Sequence, residues 1–406
     1  MTHSLKKIHI DQLIVGMYIA DLDCGWMAHP FLRSQFTVQS DKQIQTLRDH
    51  HIVEFYIDIS KGKSCAEPLA PKEPAPTSDQ QIQKILIETV IPTATHDFQT
   101  EYARAKTIIS EANHIVKKIM ADCRLGLKID IDPLHDTVEQ LSLSINRNPS
   151  ALNILTRLKI KDDYTFHHSV SVGILLMIME HSAGSKRDYI LQVGIGGMLH
   201  DVGKSLIPSH ILNKPDKLTP GEFEIMKRHV DYSMEVLNGC DYVSDIVKNI
   251  AWEHHERFDG TGYPHQKMGE QISAIGQKAA IIDVYDALTS DRSYHNGMQA
   301  PLAVRKIFEW SKYHFDPQLV KGFVKCFGIY PVGTLVSLAS GKLAVISGHN
   351  QEDLSKPIVI AFFNIKLNRH IAPQTIDLAH TRVQGNDRII KQEDPHHWQV
   401  NPERFL

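Results

Sequence analysis

From about residue 80 to 325, apolar residues recur at three- and four-residue spacing, and two of the stripes carry titratable groups at core positions. Val243, Val247, Ile250, Ala251 and His254 share one stripe; Ile275, Ala279, Ile282, Asp283 and Asp286 share another. A carboxylate on a core-facing stripe is costly unless it is paired or bound to a metal. The chain is therefore constrained to a helical bundle whose interior collects such groups. His200 stands beside Asp201 in MLHDVGK (198–204), and His254 beside His255 in HHERFDGTGYP (254–264). With His168, His229 and Asp283 they form a candidate ligand set, each member expected on a helix. Imidazoles and carboxylates arriving from several helices suit a metal centre in a bundle core. Mixed nitrogen and oxygen donors favour iron or manganese, with zinc open. Two such ions held close together are a tool for hydrolysing phosphate esters. The chain holds 24 histidines, so some fall beside acids by chance; His167, His181, His210 and His265 are read as satisfied core residues.

The flanks have other patterns. Residues 1–64 read as a small α/β unit: KKIHIDQLIVGMYIADLD alternates like short strands, DKQIQTLRDHHI (41–52) has helical spacing, and VEFYIDI (53–59) is a strand. Residues 65–80 carry four prolines and form a linker. A helical connecting region spans 81–144, and the main helical domain 145–330. Residues 331–406 are a β extension: a strand, a turn at Ser340-Gly341, a second strand and a third at 356–365, with about the last 25 residues a loose polar tail. The fold class is thus mainly α, with a β-rich N-terminal domain and a short C-terminal β extension.

Composition excludes some classes of function. A net charge of -3 gives no broad basic field for a nucleic-acid polymer, though a small anion needs only a local basic pocket. No run of about 18 apolar residues exists to span a membrane, and GILLMIME (173–180) suits a buried helix. The N-terminus lacks an apolar signal region, so a cytoplasmic location is expected. Five scattered cysteines without a CxxC read as reduced thiols.

The segments FHHSVSVGIL, GGMLHDVGKSLIP, MKRHVDYSMEVL, WEHHERFDGTGYP and AAIIDVYDALTSDRSYH stand in the order that they take in the HD-GYP family, a branch of the HD superfamily of metal-dependent phosphohydrolases. The resemblance covers roughly residues 145–335 and implies an HD-type helical bundle. By motif position it implies the metal ligands His168, His200, Asp201, His229, His254, His255 and Asp283, with Asp201 bridging. His168 is preferred to His167 because Ser and Val follow it. Residues 15–31, VGMYIADLDCGWMAHPF, also resemble a small uncharacterised domain often found ahead of HD-GYP. Members with three metals carry a Glu where this chain has Tyr164, so two divalent ions are expected. Val230 and Ser233 replace a common Pro and Gly, at little expected cost to the helix. SDRSYH keeps Arg292 of the family's phosphate-binding segment but places His295 where a basic residue is usual.

The family hydrolyses cyclic di-GMP to linear pGpG, and some members continue to GMP. The resemblance implies the same phosphodiesterase activity here, through a water activated by two metals. Asp201 and Lys204 are the catalytic candidates, with Lys204 on the same helix face as His200. Lys204, Tyr263 and Arg292 are the candidate substrate contacts, and Asp286 would orient a ligand. Gly194, Gly196 and Gly197 are read as close-packing positions. The GYP loop is also a family contact for GGDEF domains. The N-terminal unit could dock a partner, gate the site or form a homodimer. Two alternatives stay open: hydrolysis of another cyclic dinucleotide such as 3′,3′-cyclic GMP-AMP, and a non-catalytic sensing or docking module.

Overall fold

A computed structural model describes residues 5–21, 36–49, 54–63, 97–157, 164–290, 297–311, 313–350, 355–380, 387–395 and 397–406, with a few single positions between them. The chain divides into two compact units, residues 1–75 and 76–406. In the first, β1 (Leu5–His9), β2 (Tyr18–Asp21), β3 (Phe36–Thr37) and β4 (Glu54–Asp58) form an antiparallel sheet in the order β1-β4-β2-β3. Helix α1 (Asp41–Asp49) supplies Leu47 to a small core with Ile8, Met17, Ile19, Phe55 and Ile57. Much of the 15–31 segment lies outside the described residues, as do most of the linker and most of 81–91.

The second unit is a helical bundle: α2 (Phe98–Arg124), α3 (Asp132–Arg147), α4 (Pro149–Arg157), α5 (Tyr164–Ser182), α6 (Arg187–Leu199), α7 (Pro220–Lys227), α8 (His229–Asn238), α9 (Asp245–Glu253), α10 (Ala274–Thr289), α11 (Ala300–Trp310) and α12 (Pro317–Phe327). Helix α5 is apolar all round from Val170 to Met179 and is buried there, as such a helix must be. Helix α6 lies directly on it. A Cβ at Gly197 would stand 2.6 Å from the Cα of Gly173, so this close approach needs two residues without side chains. The glycine-rich run of α6 is thus a packing surface.

Strands β5 (Leu335–Leu338), β6 (Lys342–Gly348), β7 (Ile358–Asn364), β8 (Arg369–Asp377) and β9 (Ile389–Gln392) form a second antiparallel sheet, ordered β8-β7-β6-β5-β9. One feature here adds to the sequence reading and another corrects it. The polar run 369–377 is a strand, because its backbone pairs along β7 whatever its side chains prefer. The last residues are not a loose tail: β9 pairs with β5, and Trp398, Val400, Phe405 and Leu406 pack on Leu335, Leu343, Val345 and Phe362. Among the described residues no helix is long and apolar enough to cross a membrane.

Candidate metal centre

His168 lies in α5 and Asp283 in α10, as their stripes require. The doublets sit differently from the expectation. His200 and His254 are the C-caps of α6 and α9; Asp201 and His255 follow them outside the helices, and His229 opens α8. The reason is local. The last carbonyls of a helix lack intrahelical donors. His200 Nδ1 meets the Gly197 carbonyl at 2.7 Å, His254 Nδ1 the Ala251 carbonyl at 2.9 Å, and His229 Nδ1 the Met226 carbonyl at 2.7 Å. A carbonyl only accepts, so each Nδ1 donates its proton and each Nε2 is left with a lone pair. His168 follows the same logic with a carboxylate: its Nδ1 stands 2.7 Å from Asp286 Oδ2. Asp286 therefore fixes the ring of this candidate ligand from behind.

The inward-facing atoms converge. His168 Nε2 is 3.0 Å from Asp283 Oδ1 and 3.6 Å from Asp201 Oδ2. Asp201 Oδ2 is 3.1 Å from His200 Nε2, while Asp201 Oδ1 is 3.3 Å from His229 Nε2 and 3.8 Å from His254 Nε2. Donor atoms of Asp201, His229, His254 and His255 lie within 4.8 Å of one another, and those of His168, His200 and Asp283 do likewise. Each Asp201 oxygen thus faces a different set of imidazoles.

Burial holds His229 down to about 4 and His254 to about 3, so both imidazoles are neutral near pH 7. His255 is likewise held well below its ordinary value by burial and by His254. Burial opposes the charge of Asp201 and Asp283, yet His200 beside the first and His168 beside the second keep both well below the usual carboxylate range. Neutral imidazoles and ionised carboxylates are the forms that bind metal. His200 Nε2 and Asp201 Oδ1 are buried and neither makes a hydrogen bond of acceptable geometry. Orphaned acceptors in so dry a place are costly unless a cation satisfies them. The donor set fits divalent metal ions.

Lys204 is not on one helix with His200. It falls in the 3-10 stretch Val202–Leu206, from which its Nζ reaches back to Asp201 Oδ2 at 2.5 Å. That pair is only 23% exposed on the lysine side, so it belongs to the centre and not to the outer surface. Tyr263 stacks on His255, with ring centroids 4.6 Å apart and planes at 28°. Burial and then Asp283 raise its phenol above the ordinary value, so it is neutral. Arg292 and His295 lie outside the described residues, and so does the side chain of Tyr164.

Sequence reasoning missed the residues that hold the GYP loop. Glu256 is buried and accepts from the backbone N–H of His265 at 2.8 Å and of Lys267 at 3.0 Å. Glu253, also buried, accepts from Lys267 Nζ at 2.6 Å and from the Ser273 N–H at 2.9 Å, where α10 begins. The one available signal was acids on both sides of a histidine pair, in EHHE. Gly262 has no room for a side chain: a Cβ there would lie 2.4 Å from the Arg257 nitrogen. Ser233 was expected only to suit its helix. It also accepts from the Gly203 N–H at 2.9 Å and donates to the His200 carbonyl at 3.0 Å, locking the HD turn to α8.

A bundle whose core gathers histidines and an aspartate from several helices and helix ends around an adjacent His-Asp pair defines an HD-type phosphohydrolase. The comparisons narrow this. Residues 160–319 match an HD domain, and residues 5–134 match a domain of unknown function, DUF3391. A cyclic di-GMP phosphodiesterase of Pseudomonas aeruginosa is 38% identical over 395 residues, covering 97% of this chain and 93% of that one. A 3′3′-cGAMP-specific phosphodiesterase of Vibrio cholerae is 32% identical over 190 residues, 46% of this chain and 36% of that one. A cyclic di-GMP phosphodiesterase of Thermotoga maritima is 35% identical over 175 residues, 43% of this chain and 47% of that one. The chain belongs to the HD-GYP family of phosphodiesterases, with a DUF3391 domain ahead of the catalytic bundle.

Proposed function

We propose that the chain hydrolyses cyclic di-GMP to linear pGpG at a centre of two divalent ions, iron or manganese. The observation that carries this reading is the division of the seven side chains into two adjacent donor groups. His168, His200 and Asp283 would hold one ion, and His229, His254 and His255 the other. Asp201 would serve both, since its two oxygens face the two groups. Bound ions supply charge that polarises the phosphodiester and lowers the pKa of water.

The chain's own groups do the rest. Asp286 fixes the His168 ring, and the helix-end carbonyls fix His200, His229 and His254. Lys204 is held by Asp201 with an ammonium beside the ligands, where it can neutralise non-bridging phosphate oxygens. Arg292 would take the second phosphate bidentately. Tyr263, neutral and stacked on His255, offers a hydroxyl and a ring face to the nucleotide. Docking of a GGDEF domain on this loop is supported by the exposed side chains beside it, Trp252 at 36% and Met268 at 60%.

A second substrate is favoured by the similarity to a 3′3′-cGAMP-specific enzyme, so both dinucleotides belong in one test. Protein purified anaerobically with iron or manganese would be analysed for metal per chain. In the same sample, conversion of cyclic di-GMP and of 3′,3′-cyclic GMP-AMP would be followed by chromatography. About two ions per chain with pGpG accumulating is the expected result. A metal-replete protein that left cyclic di-GMP intact would overturn the substrate and leave the centre standing.

A further inference from the structure

Lys227 closes α7 just before His229, and no motif of the sequence singles it out. Its ammonium stands 5.5 Å from the centroid of the Phe223 ring and 5.9 Å from that of Tyr263. The two rings meet edge to face at 6.2 Å and 81°. Tyr263 in turn stacks on His255 and lies edge-on to His229, 6.4 Å away. The lysine is thus one ring's depth from the candidate metal ligands. Among the described residues its acceptor is Glu224, at 2.8 Å, whose side chain is 69% exposed. A single carboxylate leaves donors of the ammonium unused. Phe223, Tyr263 and Lys227 are all only half-buried, so the cradle opens to solvent.

We propose that Phe223, Tyr263 and Lys227 form a guanine-reading cradle beside the phosphodiesterase centre. The inference deepens the substrate reading above and rests on it for the position of the phosphate. Flat aromatic faces attract a base of any kind, because every base has a π-face. A lysine can only donate. Guanine presents two acceptors, O6 and N7, on one edge, whereas adenine pairs its N7 acceptor with an N6 donor. One ring can therefore stack a base while the other, at 81° to it, borders that base, and Lys227 supplies the choice of base. A phosphate in this position would gain the charge of Lys227 but would leave the solvent-facing ring surface without a partner. Lys227 is a specificity-determining residue in this scheme and touches no reacting atom.

The test uses metal-loaded protein and two ligands that it does not turn over, 5′-GMP and 5′-AMP, with binding measured by calorimetry. Wild type should prefer GMP. Lys227→Met should weaken GMP by about tenfold and leave AMP almost unchanged. Lys227→Arg, which keeps the donors, should restore the preference. Phe223→Leu should weaken both nucleotides alike. Equal loss of GMP and AMP in Lys227→Met would make Lys227 a phosphate contact and overturn the cradle. No preference in wild type, or no change on substitution, would overturn it too. Cyclic di-GMP turnover, assayed beside it, separates the two claims. Turnover without Lys227-dependent base preference sinks the cradle alone, and base preference without turnover sinks the substrate reading alone.

Discussion

Asp201 is buried, accepts from Lys204 and faces His200 and His229 with its two oxygens, so it is the residue whose loss touches every part of the centre. Asp201→Ala is expected to abolish turnover and to lower bound metal to half or less. Circular dichroism should stay helical, because the apolar core of the bundle does not depend on this side chain. Full activity in that variant would mean that the site is elsewhere. Asp286 acts at one remove. Asp286→Asn replaces an acceptor-only carboxylate with an amide that can present a donor to His168 Nδ1. The expected loss in metal affinity is about 10- to 100-fold, with the fold intact, measured by competition with a chelator. An unchanged affinity would place the orienting role on another group. The imidazoles also set a pH dependence of the metal-free protein. Burial lowers His229 to about 4 and His254 to about 3 from an ordinary 6.5. Both are neutral when folded, and the unfolded chain takes up their protons below about pH 6.5. Stability from these two is complete above that value and is lost as pH falls from 6.5 towards 4. His200 runs the other way: burial lowers it, but Asp201 raises it further, so its contribution fades as pH rises. His255, also held well below its ordinary value, adds to the first pair, so three histidines against one predict a melting temperature that falls between pH 7 and pH 5. His254→Gln should flatten that slope, and a slope unchanged by it would refute the assignment.

At the scale of elements, the centre depends on where helices stop. The two doublets are held at the C-terminal ends of α6 and α9, and the turn after α6 is pressed against the start of α8. A Cβ at Gly203 would lie 2.1 Å from the His229 carbonyl and 2.4 Å from the Ser233 nitrogen. Gly203→Ala should push the HD turn away from α8, separating Asp201 from His229. The prediction is weaker metal binding and a lower melting temperature in one variant, read by metal analysis and calorimetry. Ser233→Ala removes the same lock without steric pressure and should give a milder form of both losses. A Gly203→Ala protein with normal metal content would show that the turn has room to shift. These contacts mark the boundary of what was legible beforehand. His254 and Asp283 could be placed in the core because apolar neighbours three and four residues away share their stripe. The doublets were readable as a pair of motifs, but their position beyond the helix ends was not. That position depends on an imidazole reaching a carbonyl three residues back, which periodicity does not record. Glu253 and Glu256 were hidden for a similar reason: both bond to backbone far along the chain, and only their place on either side of the histidine pair sets them apart from surface acids.

The whole of residues 76–406 counts as one compact unit, so the C-terminal sheet is part of the body that carries the centre. Arg157, at the end of α4, makes one of its joints: its guanidinium donates to the Val332 carbonyl at 3.2 Å and to Thr334 Oγ1 at 3.3 Å. The final segment packs on the sheet itself. Ile389, Trp398, Val400 and Phe405 are too widely spaced among polar residues to announce an element, yet each finds an apolar partner on the sheet. Phe405 lies flat on Phe362, with centroids 3.8 Å apart and planes at 15°. Phe405 is only half-buried, so Phe405→Ala should cost about 2 kcal/mol, below the range for a fully buried ring. The melting temperature should fall by a few degrees. None of the seven candidate ligands comes from this segment, so metal content and turnover per folded molecule should be those of wild type. Calorimetry and metal analysis on the same sample decide the matter. A lower melting temperature with full metal content would make the sheet a stabilising cover. Loss of metal at a temperature where the bundle is still folded would instead mean that packing around Phe362 reaches the centre, with the Arg157 joint as the route to examine next.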